Sequence, residues 1–185
     1  ITLFEKSQII FLIPGCQFVK KSLVLKKSLS GGVMNIIKLL ICILLPQFIG
    51  GLSAFLGGSF VKYSFLAKPP FSPPGEVFGI AWVILYFLMG IASYLIVKSS
   101  SPVEKQALVF YAAQLFMNFC WSLIFFRWDM KLLAFIWLLA LLFLLLLTYR
   151  RFREISALAG YLLIPYILWL LFAGYLTIGV WYLNR

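Results

Sequence analysis

The sequence predicts an all-α membrane protein, a bundle of five transmembrane helices, and three observations predict it. The 185-residue chain is 64% hydrophobic and only 11% charged, whereas a soluble domain is about half apolar and about a quarter charged. Its mean hydropathy is +1.05. Its apolar residues gather into continuous runs close to the ~20 residues that cross a hydrocarbon core, joined by short polar connections. A soluble fold of this length could not cover so much apolar side chain, and a disordered chain would be far more polar. In lipid only helices or closed barrels satisfy the backbone. Continuous runs lack the alternation of a barrel.

Residues 1–33 differ from the rest. Lys6, Lys20, Lys21, Lys26 and Lys27 interrupt short apolar stretches, and the first methionine is Met34, preceded by Ser30-Gly31-Gly32-Val33. A ribosome-binding site read through in translation would give such residues. The expectation is a leader over 1–33, translated upstream sequence or disordered, with the body from 34 to 185. Such a leader points to a bacterial gene, and so to a multi-pass protein of a bacterial cell membrane. The rival is a targeting peptide, since Ile13-Pro14-Gly15-Cys16 faintly resembles a lipoprotein box, but its apolar stretch is short for one.

The body divides into spans at about 36–61, 75–97, 105–126, 132–149 and 156–182. The longest connection, 62–74, contains Pro69, Pro70, Pro73 and Pro74. Each proline lacks an N–H and restricts its predecessor, so no helix forms there. Glu76 then opens the second span, where the helix dipole favours an acid. Pro165 lies within the fifth span and is expected to kink it.

The net charge of +11 sits between the apolar runs, as topology determinants and lipid-headgroup partners do. With no compact basic stripe, nucleic acid is not an expected partner; membrane lipid is. The chain has no histidine and its three cysteines, Cys16, Cys42 and Cys120, are scattered, so neither a metal site nor a cofactor is expected. Acidic residues avoid the middles of the spans, which argues against ion coupling. No acid–base or nucleophile–base pair is present, so ordinary hydrolysis is not expected.

Several constellations remain. Gly50, Ala54 and Gly58 are spaced by four, either for packing inside one bundle or as a homodimer seam. Gln114, Asn118 and Trp121 share one helix face, either for an interhelical hydrogen bond or for a polar contact in a ligand cavity. Trp82, Tyr86 and Met89 share another. Tyr166, Trp169, Ala173 and Thr177 line a third, where large rings beside a small alanine would form a slot. Together these residues suggest a pocket for a large, planar, apolar molecule, held by stacking and burial.

The chain resembles the TspO/MBR family, the translocator proteins or peripheral-type benzodiazepine receptors. The resemblance rests on Leu66-Ala67-Lys68-Pro69-Pro70-Phe71-Ser72-Pro73-Pro74, then Val77-Phe78, Trp82, Leu85-Tyr86 and Met89-Gly90. Gln114-Leu115, Asn118, Trp121 and Phe125-Phe126 follow, and then Pro165-Tyr166, Trp169, Phe172-Ala173 and Leu176. It covers about 50–184. It implies a five-helix bundle, a homodimer, and a pocket capped by the loop after the first helix. It also implies binding of protoporphyrin IX and related tetrapyrroles and of benzodiazepine-site ligands, with sterol binding best known in animal members.

Some bacterial members degrade protoporphyrin in light through two tryptophans, which match Trp82 and Trp169. Tyr63, Pro73, Asn118 and Ala173 match other pocket positions. The expected role is thus a tetrapyrrole sensor or regulator, with a porphyrin carrier as the alternative, and oxidative breakdown of the excited porphyrin is the one chemistry in view. The chain departs from the family at Phe71, where tryptophan is frequent, and at Thr177, where asparagine is. It matches the cholesterol motif only loosely in Val180-Trp181-Tyr182-Leu183-Asn184-Arg185, so sterol is not expected.

Overall fold

The computed structural model describes residues 14–58 and 63–185, with side chains from residue 32 onward. The described elements are helical. They are α1 (Pro14–Gly57), α2 (Gly75–Ser99), α3 (Glu104–Ser122), a π-helical turn (Leu123–Arg127), α4 (Lys131–Ile155), α5 (Ala157–Tyr161) and α6 (Ile164–Leu183). Ile1–Lys38 and Leu39–Arg185 form separate compact units. In the first, residues 14–33 belong to α1; residues 1–13 of the expected leader lie outside the described residues. So do 59–61, at the end of the first expected span. The core of the bundle lies in the second unit.

Among the described residues, five stretches are long and apolar enough to cross a membrane: Gly32–Gly57, Gly75–Ser99, Glu104–Arg127, Lys131–Ile155 and Ala157–Leu183. At 25 residues each, α2 and α4 extend about 37 Å, more than the ~30 Å of a hydrocarbon core. Charge marks the ends. Glu76 and Glu104 stand in the first turns of α2 and α3, and Lys98 and Arg153 in the last turns of α2 and α4, each with the sign the dipole favours.

The fifth span differs from the expectation of one kinked helix. Ser156 has extended backbone and its Oγ accepts from the Ala159 N–H to start α5. That helix stops at Tyr161, and the chain restarts at Ile164 with Pro165 in the first turn of α6. A first-turn N–H has no helical partner to lose, so proline there starts a helix instead of bending one.

α4 packs against both α3 and α6. Its Ala134, Leu138, Leu141 and Leu145 face inward, while Ile136, Leu139 and Phe143 face out. The C-terminal part of α1 lies against α2 and α3 at very close range. A Cβ on Gly90 would fall 2.6 Å from the Cα of Ile43. One on Gly50 would fall 2.0 Å from the Tyr86 ring, and one on Gly57 would meet Ser122 Oγ at 2.6 Å. Small residues permit such approach between membrane helices. Ser53 Oγ donates to the Phe119 carbonyl at 2.7 Å, Ser122 Oγ to the Ser53 carbonyl at 3.2 Å, and Gln47 Nε2 to the Val83 carbonyl at 2.8 Å. Gly50 thus packs within the chain. Gly58 acts differently. With φ +68° it ends α1 in the left-handed conformation that suits glycine.

These contacts give a paired prediction. Gly50→Ala should lower thermal stability in detergent by the ~1–3 kcal/mol typical of overpacking and alter tryptophan near-ultraviolet dichroism, because Tyr86 must move. Gly51, with nothing within 4 Å of its would-be Cβ, should tolerate alanine with no loss.

Candidate functional site

The middle of the bundle holds a cluster of aromatic rings. On α2, Trp82 stacks on Tyr86, with ring centroids 5.3 Å apart and planes inclined by 27°. From α6, Tyr166 and Trp169 meet Trp82 edge-on at 6.0 and 6.3 Å. Such arrangements suit the ring quadrupoles. The cluster continues outward: Trp169 meets Phe78 at 5.2 Å, and Phe78 meets Tyr63 at 5.4 Å. Phe78 belongs to the motif that carries the family resemblance but was not among the expected site residues; its place one turn before Trp82 was the available signal.

The Gln114, Asn118 and Trp121 face of α3 resolves into separate roles. Asn118 Nδ2 donates to Tyr166 Oη at 2.8 Å, an interhelical bond between α3 and α6. Trp121 stacks on Phe125 at 5.1 Å, within the segment where the π-helical turn widens the helix. Gln114 is fully buried, and neither atom of its carboxamide has a partner. The indole N–H groups of Trp121 and Trp169 are likewise buried and unpartnered. Leaving such a group unpaired costs about 1–3 kcal/mol.

Trp82, Asn118, Trp121, Leu138, Leu141, Leu170 and Ala173 converge on a narrow cleft. It is too narrow for a water molecule. Four of the sequence-predicted site residues therefore line one cavity: Trp82, Asn118, Trp121 and Ala173. Tyr86, Tyr166 and Trp169 surround it through Trp82. Gln114 does not line it, and neither do Tyr63 and Pro73, which belong to the loop. The leucines of α4 and α6 were missed, because a leucine in a leucine-rich helix carries no mark that separates a cavity wall from ordinary core.

The loop is tied down at both edges. Tyr63 Oη donates to the Pro73 carbonyl at 2.7 Å, and Lys68 Nζ lies 4.5 Å from the centre of the Tyr63 ring, a cation–π contact. Burial pushes the Tyr63 hydroxyl above its ordinary value, so it stays a donor. Tyr175 Oη donates to the Pro70 carbonyl at 2.9 Å. Asn184 accepts from the Ala67 N–H at 3.1 Å and donates to its carbonyl at 2.8 Å. Pro69 is buried, and a Cβ on Gly179 would fall 2.6 Å from it. Phe71 is 88% exposed with φ +63°. The ring at that position therefore points away from the cleft.

A model of the TspO/MBR family matches residues 42–183. The chain belongs to the TspO/MBR family. Tryptophan-rich protein TspO of Archaeoglobus fulgidus is 35% identical over 153 residues, covering 82% of this chain and 99% of the relative. The translocator protein of Ovis aries is 36% identical over 140 residues, covering 71% and 83%. The tryptophan-rich sensory protein of Cereibacter sphaeroides is 36% identical over 107 residues, covering 58% and 66%. Membership in the TspO/MBR family and five apolar helices make the chain an integral, multi-pass membrane protein.

The Asn118–Tyr166 bond should contribute measurably to this TspO/MBR bundle. Asn118→Leu and Tyr166→Phe should each lower stability. Their double-mutant cycle, read by thermal denaturation in one detergent, should give a coupling of about 1 kcal/mol; strict additivity would mean the bond contributes nothing.

Proposed function

We propose that this protein binds a tetrapyrrole such as protoporphyrin IX in the membrane and acts as a sensor or regulator. Trp82 and Trp169 would be the residues that stack on the macrocycle. The observation that carries the reading is the pairing of these two indoles at 6.3 Å, beside the Trp82–Tyr86 stack, in a setting without a charged side chain. Flat apolar rings favour a flat apolar guest by area and stacking. The name of the Cereibacter sphaeroides relative, a sensory protein, supports the regulatory half. The same reading includes the homodimer and the bacterial cell membrane that the sequence suggested.

A bundle that served only as a scaffold would have reason to pair its interior donors. The unpartnered N–H groups of Trp121 and Trp169 favour a guest instead. The cleft is smaller than a macrocycle, so binding must enlarge it, as occurs where a ligand selects a minor open conformation. Light would add chemistry. An indole of Trp82 or Trp169 would give one electron to the excited porphyrin, leaving an indole radical cation and a porphyrin radical anion open to attack by dioxygen. The second reading, a carrier of porphyrins or other amphiphiles, requires the same pocket and differs in the fate of the ligand once bound.

The test is a protoporphyrin IX titration of purified protein in lipid nanodiscs, followed by tryptophan quenching and the porphyrin spectrum, first dark and then lit. Saturable dark binding is expected, weakened at least severalfold in Trp82→Phe/Trp169→Phe. Light-driven loss of porphyrin is expected in the wild type and not in the double variant. Absence of saturable binding would overturn the tetrapyrrole reading. Vesicle flux of porphyrin without any response in a regulated partner would favour the carrier.

A further inference from the structure

We propose that a cavity at one end of the bundle binds the headgroup of an aminophospholipid, with Arg185 and Lys131 taking its phosphate and Asp129 its ammonium. The cavity measures about 380 Å³, and its lining includes Asp129, Lys131, Leu132, Leu133, Trp181 and Arg185. That volume falls within the ~300–1,000 Å³ of small-molecule sites. It shares no lining residue with the aromatic cleft, so the inference stands apart from the tetrapyrrole reading.

The cavity lies at headgroup depth. Lys131 opens the fourth apolar stretch and Leu183 closes the fifth, so charged side chains begin here where the spans end. Trp128 and Tyr182, neighbours of the lining residues in the chain, are each 59% exposed, as aromatic residues of a membrane interface are. Leu132 and Leu133 are exposed as well and give the wall an apolar side suited to an acyl chain. A soluble phosphate compound has no use for that side.

The charges of the site are only partly spent. The Lys131 side chain is 9% exposed, and its Nζ donates to Asp129 Oδ1. An ammonium has three donors, so this one bond leaves it capacity for an anion. Asp129 is 72% exposed and has a second oxygen to offer a cation. Its φ of +57° belongs to the left-handed region, which Asp visits more readily than most residues. The backbone bonds on either side, from the Trp128 N–H to the Leu123 carbonyl at 3.0 Å and from the Met130 N–H to the Ile124 carbonyl at 3.1 Å, hold the turn. The Arg185 guanidinium lies 4.2 Å from the centre of the Tyr182 ring and 5.6 Å from that of Trp181. These cation–π contacts place it without using its N–H donors in the ring planes of an acid. Asn184 also lines the cavity, but both its N–H donors are taken, by the Ala67 and Val180 carbonyls. It is wall. Two cations with donors to spare and a carboxylate with an oxygen to spare match a headgroup that carries a phosphate and a primary ammonium together. A guanidinium suits phosphate oxygens. A choline headgroup has no N–H to give Asp129, and a diacylglycerol has no phosphate for Arg185.

Dioleoyl phosphatidylethanolamine, dioleoyl phosphatidylcholine and dioleoylglycerol share their chains and differ only at the headgroup. Their binding to delipidated protein in detergent should be compared by native mass spectrometry. The wild type should prefer the ethanolamine lipid to the choline lipid by roughly threefold, and both to dioleoylglycerol. The preference should fall close to one in Asp129→Asn, a change that keeps a side chain tolerant of the left-handed turn. Arg185→Gln, beyond the end of the last helix, should weaken both phospholipids and leave dioleoylglycerol unchanged. Arg151 and Glu154 carry the same pair of charges at the other end of α4, and Glu154→Gln should leave the preference intact. Soluble glycerophosphoethanolamine at the same concentration should not displace the lipid. Equal binding of the two phospholipids, a preference that survives Asp129→Asn or is lost equally in Glu154→Gln, phospholipids bound no better than dioleoylglycerol, no effect of Arg185→Gln, or displacement by the soluble headgroup would each overturn the assignment.

Discussion

Hydrocarbon offers no partner to a carbonyl, an amide or an indole N–H, and this constraint shapes the bundle. Because lipid tails are as apolar as leucine, expulsion from water does not hold the helices together; close packing and internal hydrogen bonds must. The approach of α1 to α2 and α3 meets both needs. Gly50, Gly57 and Gly90 remove the side chains that would hold the backbones apart, and Ser53 and Ser122 then reach carbonyls on the facing helix. Either device alone would be weaker. Without the glycines the hydroxyls would fall short, and without the hydroxyls the close surfaces would have only dispersion to hold them.

That approach also sets the aromatic cluster. The Tyr86 ring occupies the space over Gly50 that a side chain would fill, and Trp82 lies on Tyr86. The stacking surface of the site is therefore positioned from the far side by a glycine that touches no ligand. Asn118 fixes Tyr166 in the same indirect way from α3. The arrangement places three helices behind one pair of rings, and rotation of any of them alters the cleft.

Much of this was legible in the sequence, and the parts that were not share a cause. Span number followed from run length and the absence of alternation, which are properties of the solvent more than of the fold. The shared face of Gln114, Asn118 and Trp121 followed from helical spacing. Spacing could not say which of the three pairs across the bundle and which does not, because that depends on where Tyr166 arrives from another helix. Pro165 was read as a kink because its position relative to a helix start was unknown; Ser156, which caps the preceding turn, was the signal that a start lay nearby. Gly58 and Gly57 exchange roles for the same reason. A spacing of four picks out a stripe, and the end of the helix decides which glycine packs and which turns.

The cleft is narrower than any flat guest, and its rings differ in what holds them. Tyr86 is pressed against Gly50 and cannot retreat without parting α1 from α2. Tyr166 is 1% exposed and bonded to Asn118. Trp121 is clasped by Phe125 and Phe126. Trp169 is only half-buried, makes no hydrogen bond through its indole, and is held by ring contacts to Trp82, Phe78 and Phe172. Its neighbour Leu170 is 1% exposed and has no polar tie either. The side of α6 near Trp169 is thus the part of the cluster with the fewest polar ties. Phe78 lies on that side and joins Trp169 to Tyr63 in the loop. Three aromatic side chains, Trp169, Phe78 and Tyr63, therefore stand in contact in series between the aromatic cluster and the loop.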